Sequence, residues 1–138
     1  VQHRTDRIAL PLMQCQDGCG RCCGPVLCKT FEYDRVAGYA ARHGVQPVSQ
    51  GVTCPWYQQG RCQVYAVRPF ACRLFGHVPG LVCCHSYNTN VSPAEEQRVM
   101  DLYRRDGGPV ERCLHEVLGP GWDEHLKAAV AQEYARPV

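Results

Sequence analysis

Apolar spacing and helix-end signals together predict five helical segments along the chain. In "FEYDRVAGYAARH", Val36, Tyr39 and Ala40 stand at i, i+3 and i+4 and so share a face, with Thr30 as N-cap and Gly44 as stop. Pro69, at the first position of a helix, predicts a short one through "FACRLF" to Gly76. Ser92-Pro93-Ala94-Glu95 is a capping box with Pro at N1. It opens a helix that puts Val99, Leu102 and Tyr103 on one side and stops at Gly107-Gly108. Two further helical segments follow. One carries Val110, Cys113, Leu114 and Val117 on a stripe, and the other Leu126, Ala129 and Val130, with Trp122 just before it. Between them lie an extended lead-in over 1–14 broken at Pro11, a glycine-rich loop over 15–28, an irregular stretch over 45–62 and a loop over 77–92.

Composition shows what such short elements lack. The hydrophobic share of 45% includes all 11 cysteines, while Leu, Ile, Val and Phe together number 29, with Ile8 the single isoleucine. An aliphatic core this thin calls for staples, either disulfides or metals. The net charge of +2 comes from 13 Arg, 2 Lys and 13 acidic residues dispersed along the chain, which gives no polyanion-binding surface. No run approaches the roughly 18 apolar residues of a membrane span. The opening "VQHRTDRIALPLMQ" lacks the continuous apolar core of a secretory signal. It also lacks an initiator Met, which implies trimming and leaves a removed signal open; the location expected is cytoplasmic.

The staples are the cysteines. "CQDGCGRCC" places four of them within nine residues, and the total of 11 is odd. Neighbours such as Cys22-Cys23 and Cys83-Cys84 bridge each other poorly, so in a reducing compartment the clusters read as metal ligands. Cys15, Cys19 and Cys22 stand at C-x3-C-x2-C. Gly18, Gly20 and Gly24 let the backbone wrap and aim N–H groups at thiolate sulfur. Side chains of adjacent residues in extended chain point opposite ways, so Cys22 and Cys23 suit two sites, or one site and its surroundings. Cys54, Cys62 and Cys72 lie too far apart for a local knuckle and must converge through the fold. With Cys15, Cys19, Cys22, Cys23 and one of Cys83 and Cys84 they make eight thiols, enough for two four-coordinate sites of zinc or iron–sulfur type. Cys113, on its apolar stripe, reads as a buried thiol. Cys28 stays open between core, ligand and redox partner. His77 and His85 are alternative ligands, whereas His43 suits the end of its helix and His3, His115 and His125 carry no pattern. Gly107-Gly108 and Gly119-Pro120-Gly121 read as helix stops rather than phosphate loops. Fold class follows from these features: a small, mainly-α, irregular metal-stapled domain with cysteine-rich loops packed against four to five short helices. The lead-in (1–14), the cysteine-cluster region (15–90) and the helical region (91–138) form one compact unit.

Taken together, "CQDGCGRCC" and "CPWYQQGRCQVYAVRPFACRLF" resemble the YkgJ-type cysteine-cluster family, the CxxCxxCC zinc- or iron-chelating domains. That family's pattern runs C-x2-C-x2-C-C, then Cys-Pro, then C-x-[IV]-Y-x-x-R-P-x-x-C-R and a late Cys. Cys62, Val64, Tyr65, Arg68, Pro69, Cys72 and Arg73 match its second part, and the resemblance spans residues 15 to about 85. The first gap is three residues rather than two, and Cys28 and the doubling at Cys83-Cys84 are additional. The resemblance implies metal ligands at Cys15, Cys19, Cys22, Cys23, Cys54, Cys62, Cys72 and Cys84, with Arg68, Arg73 and the packed aromatic Tyr65 around them. Flagellin lysine methylases are similar in this region and are associated with a [4Fe–4S] cluster, so iron–sulfur is the expected cofactor and zinc the alternative. The function implied is structural or electron-transferring, with a protein partner and no nucleic-acid or membrane partner. Alternatives are a zinc-stabilised interaction or redox-sensor module, and a cluster-dependent methyl-transfer-type enzyme or its accessory subunit.

Overall fold

The computed structural model describes residues 23–74 and 92–135, apart from the side chain of Tyr134. The expected lead-in over 1–14 and the loop over 77–91 lie outside the described residues, as does the glycine-rich loop up to residue 22. Strand β1 (Leu27–Lys29) runs directly into helix α1 (Thr30–Arg42). Thr30 is the first helical residue rather than the cap. Lys29 holds the N-cap place, and its backbone N–H donates to the Glu32 carboxylate at 3.0 Å, the reach-back arm of a capping box. At the other end Gly44 takes φ +67°. Val45 N–H donates to the Ala40 carbonyl at 2.9 Å and Gly44 N–H to that of Ala41 at 3.3 Å, which closes a Schellman turn. Of the expected face, Val36 and Ala40 are buried and Tyr39 is half-buried.

The stretch expected to be irregular over 45–62 holds a small hairpin, β2 (Tyr57–Gln58) with β3 (Arg61–Cys62). Gln59 and Gly60 both take positive φ, 55° and 78°, the two-residue turn whose twist matches antiparallel strands. A 3-10 turn over Tyr65–Val67 leads to the short helix α2 (Phe70–Leu74), with Pro69 just before it. Helix α3 (Pro93–Arg105) starts as its capping signal predicts: the Ser92 hydroxyl accepts from Glu95 N–H at 3.1 Å. Gly107 and Gly108, at φ 76° and 90°, follow its end.

One predicted helix is a strand. Val110–Cys113 forms β4, antiparallel to β1, with Leu27 opposite Cys113 and Cys28 opposite Arg112, and Leu114–Leu118 continues as a 3-10 turn. The apolar stripe fits either conformation over so short a run, and pairing with β1 decides it. Val110 is exposed as a result, while Cys113 and Leu114 are buried. Helix α4 (Trp122–Ala135) begins at Trp122 and keeps Leu126, Ala129 and Val130 half-buried, the face its spacing predicts. Four α-helices among the described residues thus agree with a small, mainly-α domain with short strands.

The core comes in two clusters. Val26, Cys28, Val36, Ala40, Cys54, Trp56, Val64 and Leu114 form the larger, and Phe70, Leu74, Val99 and Tyr103 the smaller. A buried polar tie joins them. The Glu32 carboxylate, 5% exposed, accepts from Lys29 N–H at 3.0 Å, from Phe70 N–H at 2.6 Å and from the Tyr103 hydroxyl. The Lys29 ammonium, buried in turn, donates to the carbonyls of Tyr103 and Asp106 at the end of α3 and lies 4.2 Å from the centre of the Tyr103 ring. Burial pushes the Lys29 pKa down, against the Asp106 and Glu32 carboxylates. Replacing Glu32 with Leu leaves three buried donors without their acceptor and removes one of the two carboxylates that favour the buried ammonium. Chemical denaturation should read a loss of about 3–5 kcal/mol.

Candidate metal centre

Cys54 sits in a turn that side-chain amides hold in place. Gln50 Nε2 donates to the carbonyls of Cys54 (2.8 Å) and Tyr57 (2.6 Å), and Gln58 Nε2 to those of Gln46 (2.5 Å) and Pro55 (3.0 Å). Gln63 Nε2 adds a bond to the Gln58 carbonyl at 2.8 Å. These bonds add to the backbone ones from Tyr57 N–H to the Cys54 carbonyl and from Val48 N–H to the Pro55 carbonyl, both 3.0 Å, and the loop gains a fixed shape. Cys54 N–H donates to the Cys23 carbonyl at 2.7 Å, which stitches the end of "CQDGCGRCC" to "CPWY".

Four of the expected ligands lie among the described residues: Cys23, Cys54, Cys62 and Cys72. All four belong to or pack against the larger core cluster, Cys54 buried within it and the other three half-buried at its edge. Cys62 comes from the hairpin and Cys72 from α2, and both pack against this cluster. Cys15, Cys19, Cys22, Cys83, Cys84, His77 and His85 lie outside the described residues. Among the described residues no three His, Cys, Asp or Glu side chains stand close enough to hold an ion by themselves. In kind, these donors fit a metal that prefers sulfur.

Burial pushes the Cys54 thiol up to about 11. The backbone N–H groups of Trp56 and Tyr57 favour its thiolate against that push, and a charged Cys62 opposes it. The two N–H groups are the kind of dipole that supports a metal-bound thiolate. Cys28 is a different thiol. It is 0% exposed, belongs to the larger core cluster on β1, and is pushed up to about 12 by burial and by Glu32. Cys113 is buried beside it on β4, and burial raises its pKa as well.

Arg68 stacks its guanidinium 3.7 Å from the centre of the Tyr65 ring and donates through Nε to the Tyr65 carbonyl at 3.0 Å. Tyr65 is exposed, so this pair lies on the surface of the "YAVRP" turn, and Arg73 is in the last turn of α2. His115 carried no signal in the sequence, yet it is 1% exposed. Its Nε2 lies 3.0 Å from the Gly51 carbonyl, which can only accept, so Nε2 carries the proton. Nδ1 is then a buried lone pair without a hydrogen-bond partner among the described residues. Burial holds the ring pKa below the usual histidine value. It pins the 51–54 turn from the C-terminal side, a role that only long-range packing reveals.

Residues 14–98, more than half of the chain, match the model of the CxxCxxCC family, described as a "Putative zinc- or iron-chelating domain". No curated protein and no solved structure matches the chain.

The raised Cys28 pKa fixes a pH dependence. Above about pH 9 the unfolded chain loses this thiol proton while the folded chain keeps it to about 12, so stability falls as pH rises through that window. In the reduced, metal-free protein, C28A should remove about 1.4 kcal/mol per pH unit from that slope between pH 9 and 11, as read by denaturation at a series of pH values.

Proposed function

The chain belongs to the CxxCxxCC family of zinc- or iron-chelating domains, and from that membership we propose that it binds a [4Fe–4S] cluster through cysteine thiolates, in a structural or electron-transferring role beside a partner protein. The observation that carries this reading is the gathering of Cys23, Cys54, Cys62 and Cys72 around one core cluster, with Cys23 and Cys54 joined through the backbone. The donors are all sulfur, Cys54 is followed by Pro55, and the approach to Cys23 is glycine-rich, features common in iron–sulfur loops. Zinc would be held by the same sulfurs.

The residues do most of the work before anything is bound. Gln50, Gln58 and Gln63 set the Cys54 turn, the 57–62 hairpin presents Cys62, and α2 presents Cys72. Trp56 and Tyr57 offer their N–H groups to the Cys54 sulfur, and Cys54 loses its proton when it becomes a ligand. When bound, a cluster supplies a one-electron couple and a cross-link between distant segments. In a chain with so few aliphatic residues that cross-link adds directly to folding free energy.

No helix among the described residues is long and apolar enough to cross a membrane. The protein partner, the cytoplasmic location and the methyl-transfer alternative stand as extensions of this reading.

Anaerobically purified protein should be brown, absorb near ~400 nm, and yield iron and acid-labile sulfide in equal amounts. Colourless protein with stoichiometric zinc would replace the cluster by zinc. Several intact disulfides under non-reducing mass spectrometry would overturn metal binding altogether. Serine at Cys54 or Cys62 should abolish or sharply lower metal content while C28A retains it, as read by elemental analysis.

A further inference from the structure

Helix α2 has five residues, too few to be stable alone, and it carries Cys72. It lies between the two core clusters. Phe70 and Leu74 belong to the smaller, while Ala71 and Cys72 pack against the larger. A small rotation of α2 about its axis would therefore carry Cys72 out of its packing against the larger cluster.

One carboxylate opposes that rotation. Glu32 Oε2 accepts from Phe70 N–H at 2.6 Å, a charge-assisted bond to the first residue of α2. The other oxygen is engaged by Lys29 N–H at 3.0 Å and by the Tyr103 hydroxyl. Tyr103 also stacks on the Phe70 ring, with centroids 4.5 Å apart and planes at 23°. Phe70 is thus held through its backbone by Glu32 and through its ring by the tyrosine that Glu32 binds. Cys72 is two residues further on.

We propose that Glu32 is a positioning residue for the metal centre, acting through Phe70 to fix α2 and with it the Cys72 sulfur. The inference rests on Cys72 being a ligand. Metal sites tolerate little displacement of their donors, and residues that orient ligands typically contribute 10–100-fold to affinity. Glu32 lies 40 positions before Cys72 and outside every cysteine motif, so only the fold connects them.

The test is a double-mutant cycle read by Co2+ titration of the reduced, metal-free protein, following the thiolate-to-cobalt absorption and competition with Zn2+. Glu32→Gln keeps the side-chain length but places an amide where the carboxylate had three donors. The expected result is a loss of about 10–100-fold in Co2+ affinity with a changed thiolate band, and no further loss when the same change is made in a C72S background. An equal loss in both backgrounds would mark Glu32 as a general stabiliser and overturn the proposal, as would unchanged affinity in E32Q. C72S alone reads the ligand assignment. Unchanged Co2+ binding there would overturn Cys72 as a ligand and the proposal with it, whereas weakened binding keeps the assignment whatever the Glu32 arm shows. If E32Q does not fold, Tyr103→Phe carries the cycle. It removes only the hydroxyl that steadies the carboxylate, and a smaller loss that vanishes in C72S is the supporting result. A loss that persists in C72S, or no loss at all, is the overturning one.

Discussion

A single buried carboxylate caps the starts of two helices in this fold and ties a third to them. Glu32 completes the start of its own helix through Lys29 N–H, holds the first N–H of α2, and accepts the Tyr103 hydroxyl from α3. Each of these donors would otherwise be buried without a partner, at about 1–3 kcal/mol apiece. Lys29 extends the tie in the other direction, its ammonium bonding the carbonyls of Tyr103 and Asp106, where the negative end of the α3 dipole lies. The charge on each partner is tolerable in the interior because every direction around it offers a donor, an acceptor or an aromatic face. Three helices far apart in sequence meet at one polar point, and the two apolar clusters are held against each other across it.

Such a tie matters because neither cluster is large. Among the described residues the smaller has four buried ones, and the larger depends on Cys28 and Cys54 for part of its packing. Sulfur therefore serves here as apolar filling, beside the ligand role proposed above. Cys28 and Cys113 sit on paired strands, deep in the packing, where regular hydrogen bonding fixes them. Cys23, Cys54 and Cys62 sit in a loop, a turn and a hairpin, where side-chain amides and positive-φ turns can aim a thiol.

Local signals proved readable where they act locally. The Ser92 cap, the Gly44 stop and the faces of α1, α3 and α4 are all settled within a few residues of chain, and they stand as their spacing predicts. The family motif was equally legible, since cysteine spacing is itself the record of the chemistry. Where long-range pairing decides, pattern misleads. Val110–Cys113 has an apolar spacing that suits a helix, and the partner strand 81 or more positions earlier makes it β4. Glu32 and His115 gave no sign either, because a buried polar side chain looks like any surface one until its partners are placed. The Gln-rich run over 46–63 read as mere punctuation, although three of its amides wire the Cys54 turn.

Burial raises the Cys28 and Cys54 pKa values alike, but the groups around the two thiols differ. A thiolate needs positive potential to persist away from water, and a neutral thiol does not. Cys54 has two backbone N–H groups favouring its thiolate, supplied by the residues two and three positions on. Cys28 faces the opposite field: Glu32, a charged Cys113 and Glu116 all raise its pKa, and Arg112 alone opposes them. Burial is the main cause of the raised Cys28 pKa, and the carboxylate that holds α2 in place adds to it. The same buried charge thus bears on both the helix that carries Cys72 and the thiol of Cys28.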